Sequence, residues 1–423
     1  MPPKPASSRD APECPPGTHN APWLFGLLIF PYGFGSAVTS ILAPYLLRKH
    51  GVPVDRIADV VAIAALPAIW SFLWSPLADA GFRRRTWVLL SAVLSGAAAA
   101  TAILRIGGSL PVLTALLFTS NALAGLMSAA LGALLSGMPE NFRGRVSGWY
   151  QAGNLGGGAV GGGVVIWLAD RFSLPAVAFA SAAAFVLPSL AAFLIEEADP
   201  IRRVLGPELR DLFRDLKELF ASRRTWLGLA FFLSPVGSAA VSNLISGVGQ
   251  DYSASGNQVL MVTGIAGGLL SAGGSFLGGI MADRMNRMVA YALGGVLTAA
   301  FGAYLALGPA TPFTYSAGYL AYAVAAGFSY YVYTALVLVV IGRQRAAAAA
   351  AYSTLNSSGN VPIAYMTWLD GAGYKRWGVR GLMGMDAVAN GVFAAVLLLA
   401  AWVAGRHWYS NALLEHGPDD GVV

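Results

Sequence analysis

The stretch Ser75-Pro-Leu-Ala-Asp79-Ala-Gly-Phe-Arg83-Arg84-Arg85 decides the fold, because a related one, Gly279-Ile-Met-Ala-Asp283-Arg-Met-Asn-Arg287, returns in the second half of the chain. In both, a small residue stands four positions before an Asp and an Arg four positions after it. Each is flanked on both sides by apolar runs long enough to cross a bilayer. A hairpin recurring between matching apolar runs marks a duplicated membrane protein. Two further echoes fall at nearly the same spacing: Gly35-Ser-Ala with Gly237-Ser-Ala, and Gly153-Asn154 with Gly359-Asn360.

Working outward, 56% of the 423 residues are hydrophobic, only 11% are charged and 51 are glycine, whereas soluble domains carry roughly a quarter charged residues. Twelve segments meet the need for about 20 mainly apolar residues per crossing. They are residues 23–46, 57–75, 87–105, 111–137, 146–169, 174–195, 226–249, 258–281, 288–308, 313–341, 347–369 and 380–405, in order spans 1 to 12. The expected fold is an all-α membrane protein of twelve transmembrane helices in two pseudo-symmetric six-helix bundles.

With the N-terminus inside, 19 of the 27 basic residues fall on the cytoplasmic side. Arg48, Lys49, Arg56, Arg105, Arg171, Lys375, Arg376 and Arg380 remain outside. This bias predicts a multi-pass protein of the inner membrane with both termini cytoplasmic. The net charge of +6 is then topological: the expected partner is the lipid bilayer, not a nucleic acid.

Residues 1–20 are rich in Pro and Ser and lack the features of a signal peptide, so a disordered cytoplasmic tail is expected. The single cysteine, Cys14, lies there, which leaves no disulfide within the chain and no cysteine-based metal site. His19, His50, His407 and His416 fall at ends or in loops, and neither metal nor cofactor is expected. Between Glu196 and Arg224, Leu209, Leu212, Phe213, Leu216, Leu219 and Phe220 recur at helical spacing with charges between them. That pattern is an amphipathic surface helix, for which Pro207 is a suitable start. The expected organisation is a tail at 1–20, a first six-helix bundle at 21–195, a cytoplasmic linker at 196–224, a second bundle at 225–406 and a cytoplasmic tail at 407–423.

The D-x-x-x-R hairpin after span 2, its copy after span 8, Pro139-Glu-Asn-Phe-Arg-Gly-Arg145 before span 5 and the basic linker together resemble the major facilitator superfamily over nearly the whole chain. Within it, Phe72-Leu-Trp-Ser-Pro-Leu-Ala-Asp79 followed by Arg83-Arg-Arg-Thr-Trp87, and Gly161-Gly-Gly-Val-Val-Ile-Trp-Leu-Ala-Asp170, resemble the branch of muropeptide permeases, acetyl-coenzyme A transporters and siderophore permeases. The resemblance implies a monomer in which two bundles rock about a central small-molecule site. One departure stands out. The muropeptide permeases carry acidic residues in and around span 4, whereas Thr114 to Gly137 contains none and Asn121 is its only strongly polar side chain. That argues against a muropeptide substrate and against that branch's proton-coupling scheme.

Asp79 and Asp283 stand where a carboxylate can meet the free N–H groups of a neighbouring helix start. With Arg83, Arg145 and Arg287 they form the expected conformational latch; the arginines could equally act as positive-inside anchors alone. Gly153, Gly157 and Gly161 of span 5 recur at four-residue steps, which bares one face for helix packing or for a sliding surface between the halves. Polar side chains at membrane depth are costly and face a cavity or another helix. Tyr32, Asn121, Gln151, Asn154, Asn243, Tyr330, Tyr331, Asn356 and Asn360, with Ser36 and Thr39, are on spans that line the central cavity in the resembled family. Asp386 reads as the only acid within a span: a candidate coupling residue, or a structural partner of Arg380.

No G-x-x-x-x-G-K-[ST] phosphate loop is present to suggest direct ATP use. Nor do the spans carry the clustered His, Cys or carboxylates that an embedded enzyme requires. The expected function is secondary active transport of a polar organic solute, as an importer coupled to a proton or another ion. A drug or metabolite exporter and a lipid translocator are the alternatives.

Overall fold

Backbone that crosses a bilayer finds no water to bond with, so it must satisfy its N–H and C=O groups internally. The computed structural model, described for residues 21–79, 82–136, 140–195, 205–341 and 354–403, is accordingly helical throughout its regular elements. The two expected tails, with Cys14, His19, His407 and His416, lie outside the described residues.

Ten helical runs have the length and hydropathy of membrane spans: Pro22–Lys49, Val54–Leu73, Arg84–Leu104, Leu110–Leu135, Gly148–Arg171, Leu174–Leu194, Gly256–Ala282, Arg287–Leu307, Pro312–Val337 and Thr354–Leu399. They correspond to twelve crossings for two reasons. The last run holds both span 11 and span 12. It reverses at Trp377 and Gly378, where Gly378 has φ +64. Just beyond the turn, a Cβ on Gly373 would stand 2.6 Å from the carbonyl oxygen of Gly381, so the two helices form a close hairpin.

The other reason is span 7, expected as one helix over 226–249. It is helical only from Arg223 to Phe232 and continues as short 3-10 turns at Ala240–Asn243 and Gly249–Tyr252. Pro235 has no N–H to donate, and Gly237 (φ +79) and Ala239 (φ +50) turn left-handed. Neighbouring phenols recover the freed carbonyls: Tyr365 Oη donates to Leu233 O (2.9 Å), Tyr291 Oη to Val236 O and Tyr315 Oη to Ile245 O (3.2 Å).

Span 5 holds span 1 through its glycines. A Cβ at Gly153, Gly157 or Gly161 would fall 1.9 Å from Gly26 O, 2.2 Å from Phe30 O and 2.6 Å from the Phe34 ring. This contact lies within the first bundle. The halves meet instead where Gly264 crosses Gly163, Gly268 crosses Ala159 and Gly371 crosses Ala58. The amphipathic segment is a helix at Leu205–Ala221; it buries Leu212 and Leu219 and packs against the short helix Trp74–Asp79 and the start of span 7.

Candidate functional site

Two adjoining hollows of about 180 and 120 Å³ lie between the bundles and share Tyr32, Asn360 and Ile363. The first is walled by Ser36 and Thr39 of span 1, Ala68 and Ser71 at the end of span 2, Asn121 of span 4 and Asn243 of span 7. The second reaches Val236 and Gly237 in the broken part of span 7, then Tyr291, Tyr330, Tyr333 and Asn356. No charged side chain is among the described residues lining either one.

The fold therefore brings Tyr32, Asn121, Asn243, Tyr330, Asn356 and Asn360 to one place. Gln151, Asn154 and Tyr331 are elsewhere. Gln151 is exposed, Asn154 sets its backbone against Gly33, and Tyr331 lies over Gly279. Three amides commit their nitrogens to the protein. Asn121 Nδ2 donates to Thr39 Oγ1 (2.9 Å) and Leu117 O (3.0 Å), Asn243 Nδ2 to Thr367 Oγ1 (3.0 Å), and Asn360 Nδ2 to Ala68 O and Ser357 O (both 3.2 Å). The capacity that Asn121 and Asn360 keep for a solute is on their oxygens, which accept, while Asn243 keeps one N–H as well.

Of the expected latch, the side chains of Asp79, Arg145 and Asp283 lie outside the described set. Arg83 is exposed immediately before span 3 and Arg287 is the first residue of span 9. Ser71 Oγ and Ser357 Oγ, 2.6 Å apart, and Asn360 with Ala68 O join the halves beside the cavity, but the ion pairs between the halves among the described residues are at the opposite end of the bundle, far from the linker helix. There Arg48 of span 1 donates through Nη2 to Asp251 Oδ1 (3.1 Å) and to Tyr374 Oη (2.9 Å), while Tyr374 Oη donates to the same Asp251 oxygen (2.9 Å). Lys375 faces Asp55 across the halves at 3.8 Å, and Ser246 Oγ donates to Ile41 O (2.8 Å). Lys49 and Tyr45 (2.7 Å) both donate to Asp170, whose other oxygen closes on the start of span 8, 2.4 Å from where a Cβ on Gly256 would stand.

Sequence reasoning missed this latch, although one signal was present. Arg48, Lys49 and Lys375 occur on the side that the charge bias otherwise empties, and each has a carboxylate partner there.

Asp386 is fully buried and accepts a hydrogen bond from Tyr322 Oη (3.1 Å). Arg380, its expected partner, is exposed and not paired with it, and Asp386 Oδ1 has no hydrogen-bond partner. Nor is Asp386 the only acid in a span. Asp370, one residue past the expected end of span 11, is inside the helix and fully buried.

Comparison with known proteins fixes the lineage. The family model of the Major Facilitator Superfamily matches residues 25–364. This chain belongs to the major facilitator superfamily. Among curated relatives, the anhydromuropeptide permease of Escherichia coli strain K12 is 27% identical over 292 residues, which are 66% of this chain and 58% of that protein, and the one from Escherichia coli O157:H7 matches equally. The chain thus spans a little over half the length of the curated relatives it matches. Solved superfamily structures share the fold. A D-xylose-proton symporter superposes with a TM-score of 0.69 at 14% identity over 89% of this chain and 96% of its own, and the nucleoside transporter NupG with 0.67 at 11% over 90% and 98%.

Proposed function

We propose that this superfamily member is a secondary transporter, carrying a neutral polar organic solute through the central cavity by alternating access. It would do so in a bacterial inner membrane, with the linker and both termini cytoplasmic and the Arg48–Asp251 end outside. The observation that carries this reading is the wall between the halves: amides and phenols with no charged side chain among its described residues. Acceptor oxygens on Asn121, Asn243 and Asn360 suit a solute that brings hydroxyl or amide donors. The solved neighbours named above point to the same class, since their names specify a pentose and nucleosides, whereas the anhydromuropeptide of the curated relatives is a charged solute. Import coupled to an ion gradient is the working mode, with export by the same cycle its reverse.

The test is a thermal-shift screen of the purified protein against D-xylose, uridine and an anhydromuropeptide, followed by counterflow in proteoliposomes. A ligand that binds only the folded state raises the apparent stability. Each lost hydrogen bond is worth about 0.5–1.5 kcal/mol, so Asn121→Ala and Asn243→Ala should each weaken the binding compound by roughly two- to tenfold. A transported ligand that carries net charge and ignores both substitutions would overturn the reading.

A further inference from the structure

The close hairpin of spans 11 and 12 has one more property. Asp370 and Asp386 stand equally far in sequence on either side of the reversal at Gly378, so the fold-back places the two carboxyls at matching depth. The two arms are in contact at this level, since a Cβ on Gly373 would stand 3.2 Å from the Cβ of Met385, the neighbour of Asp386. Both side chains are fully buried. Both oxygens of Asp370 and Oδ1 of Asp386 have no hydrogen-bond partner.

The groups facing them are neutral. Tyr322 of span 10 donates to Asp386 Oδ2 at 3.1 Å. Asn390, one turn beyond Asp386 and also fully buried, donates Nδ2 to the Asp386 carbonyl at 2.9 Å and leaves its own Oδ1 unpartnered. Of the basic groups around the hairpin, Lys375 faces Asp55 of span 2, Arg48 pairs with Asp251, Arg376 lies over the Trp377 ring and Arg380 is exposed; none is paired with Asp370 or Asp386.

Two carboxyls taken out of water with no basic group paired to them cannot stay ionised on their own, so each must bind a proton or share a cation. We infer that Asp370 and Asp386, with Tyr322 and Asn390, form a buried binding site for one monovalent cation, either H⁺ or Na⁺. Its position links it to the far-face latch. Tyr374, which holds Asp251 and Arg48, is one turn beyond Asp370 on the same face of span 11. Thr367, which accepts from Asn243 in the cavity wall, is one turn before it on the same side. Cation binding as such stands apart from the transport reading, whereas the coupling role of the site rests on it.

The experiment uses purified full-length protein in detergent and two probes, protons and sodium. Melting temperature is recorded at pH from about 5 to 9, and with NaCl against equal choline chloride, for the wild type and for Asp370→Asn, Asp386→Asn and the double variant. A folded state that alone binds the cation gains stability as the cation is added. The expected result is a rise of about 2 °C or more with acid, or with sodium, that each single Asn variant reduces and the double variant abolishes. Infrared difference spectra of the wild type supply a readout that needs no variant to fold. A protonated-carboxyl carbonyl band that appears on acidification identifies the proton. Stabilisation by sodium without that band identifies sodium. The inference is overturned if neither cation stabilises the wild type and no band appears, or if the double variant keeps the full response. A wild-type protein that takes up solute but responds to neither cation would sink the cation site and leave the transport reading standing.

Discussion

Spans 1 and 7 open the two halves, carry the same Gly-Ser-Ala and contain a proline a few residues before it, yet their backbones differ. Span 1 passes through Pro31 and Gly35 as a helix, loosened only by a π-helical stretch at Val38–Leu42. Span 7 stops at Phe232 and turns left-handed at Gly237. Their surroundings explain the difference. Span 1 is gripped by the carbonyl-to-glycine contacts of span 5, which tolerate only a regular helix. Span 7 is met by the phenols of Tyr291, Tyr315 and Tyr365, which take over the carbonyls that a broken helix releases. Discontinuous helices at membrane depth are where transporters build their sites, and here the break lies in the cavity wall. One half supplies a rigid wall and the other an adaptable one.

The largest effect should come from the grip itself. Gly157→Leu drives a side chain into the main chain of span 1 at Phe30, where nothing at the far end of a flexible chain can yield. Overpacking of this kind typically costs about 1–3 kcal/mol, occasionally more. Gly156, with nothing within 4 Å of a notional Cβ, is the control. In size-exclusion profiles of solubilised protein, Gly157→Leu should lose the monodisperse peak and Gly156→Leu should keep it. Equal behaviour of the two would remove span 5 as the reason span 1 stays helical.

A smaller effect separates the two Gly-Ser-Ala copies. Gly237→Ala places a Cβ on a residue with φ +79, a conformation that costs an L-residue about 1–2 kcal/mol. At Gly35, in regular helix, the added methyl meets only the edge of the Phe185 ring at 3.1 Å, and a ring edge can shift. Thermal melts should therefore show a lower midpoint for Gly237→Ala than for Gly35→Ala. The reverse order would mean that the break in span 7 is not held by its backbone.

The smallest concerns the far-face tie between the halves. Arg48 and Asp251 are each about a fifth exposed, so solvent screens their attraction. A double-mutant cycle of Arg48→Gln and Asp251→Asn should return a coupling of about 0.2–1 kcal/mol in melting experiments. A coupling indistinguishable from zero would indicate that the halves are held at this end by Ser246, Tyr374 and apolar packing alone.

Much of this architecture is legible along the chain because a bilayer imposes its demands in one dimension. Length and polarity mark the spans, the repeated D-x-x-x-R marks the duplication, and the spacing from Leu209 to Phe220 marks the surface helix. The cavity was legible in part for a related reason: an amide in an apolar span has few places to go, which holds for Asn121, Asn243 and Asn360. Local sequence did not separate the break at Gly237 from the helix at Gly35, because the deciding phenols lie on spans 9, 10 and 11. The latch was hidden for the same reason, its Arg48, Asp251 and Tyr374 being far apart in the chain. Asp370 was missed by a single residue, since Gly371-Ala-Gly373-Tyr-Lys375 reads as a loop until the hairpin at Gly378 carries the helix through it.

Arg48 and Lys49 are neighbours in sequence, but their partners are made at different times. Asp170, which holds Lys49, belongs to the first half and is available as soon as that half has been synthesised. Asp251, which holds Arg48, emerges only after the linker, when the second half enters the membrane. During biogenesis the first bundle can settle with Lys49 satisfied while Arg48 waits at the far surface, and docking of the second bundle discharges that last debt. A chain cut within the linker should consequently leave two fragments whose unmatched charges at this face, Arg48 and Asp55 on the first and Asp251 and Lys375 on the second, complement one another, and so retain a reason to find each other.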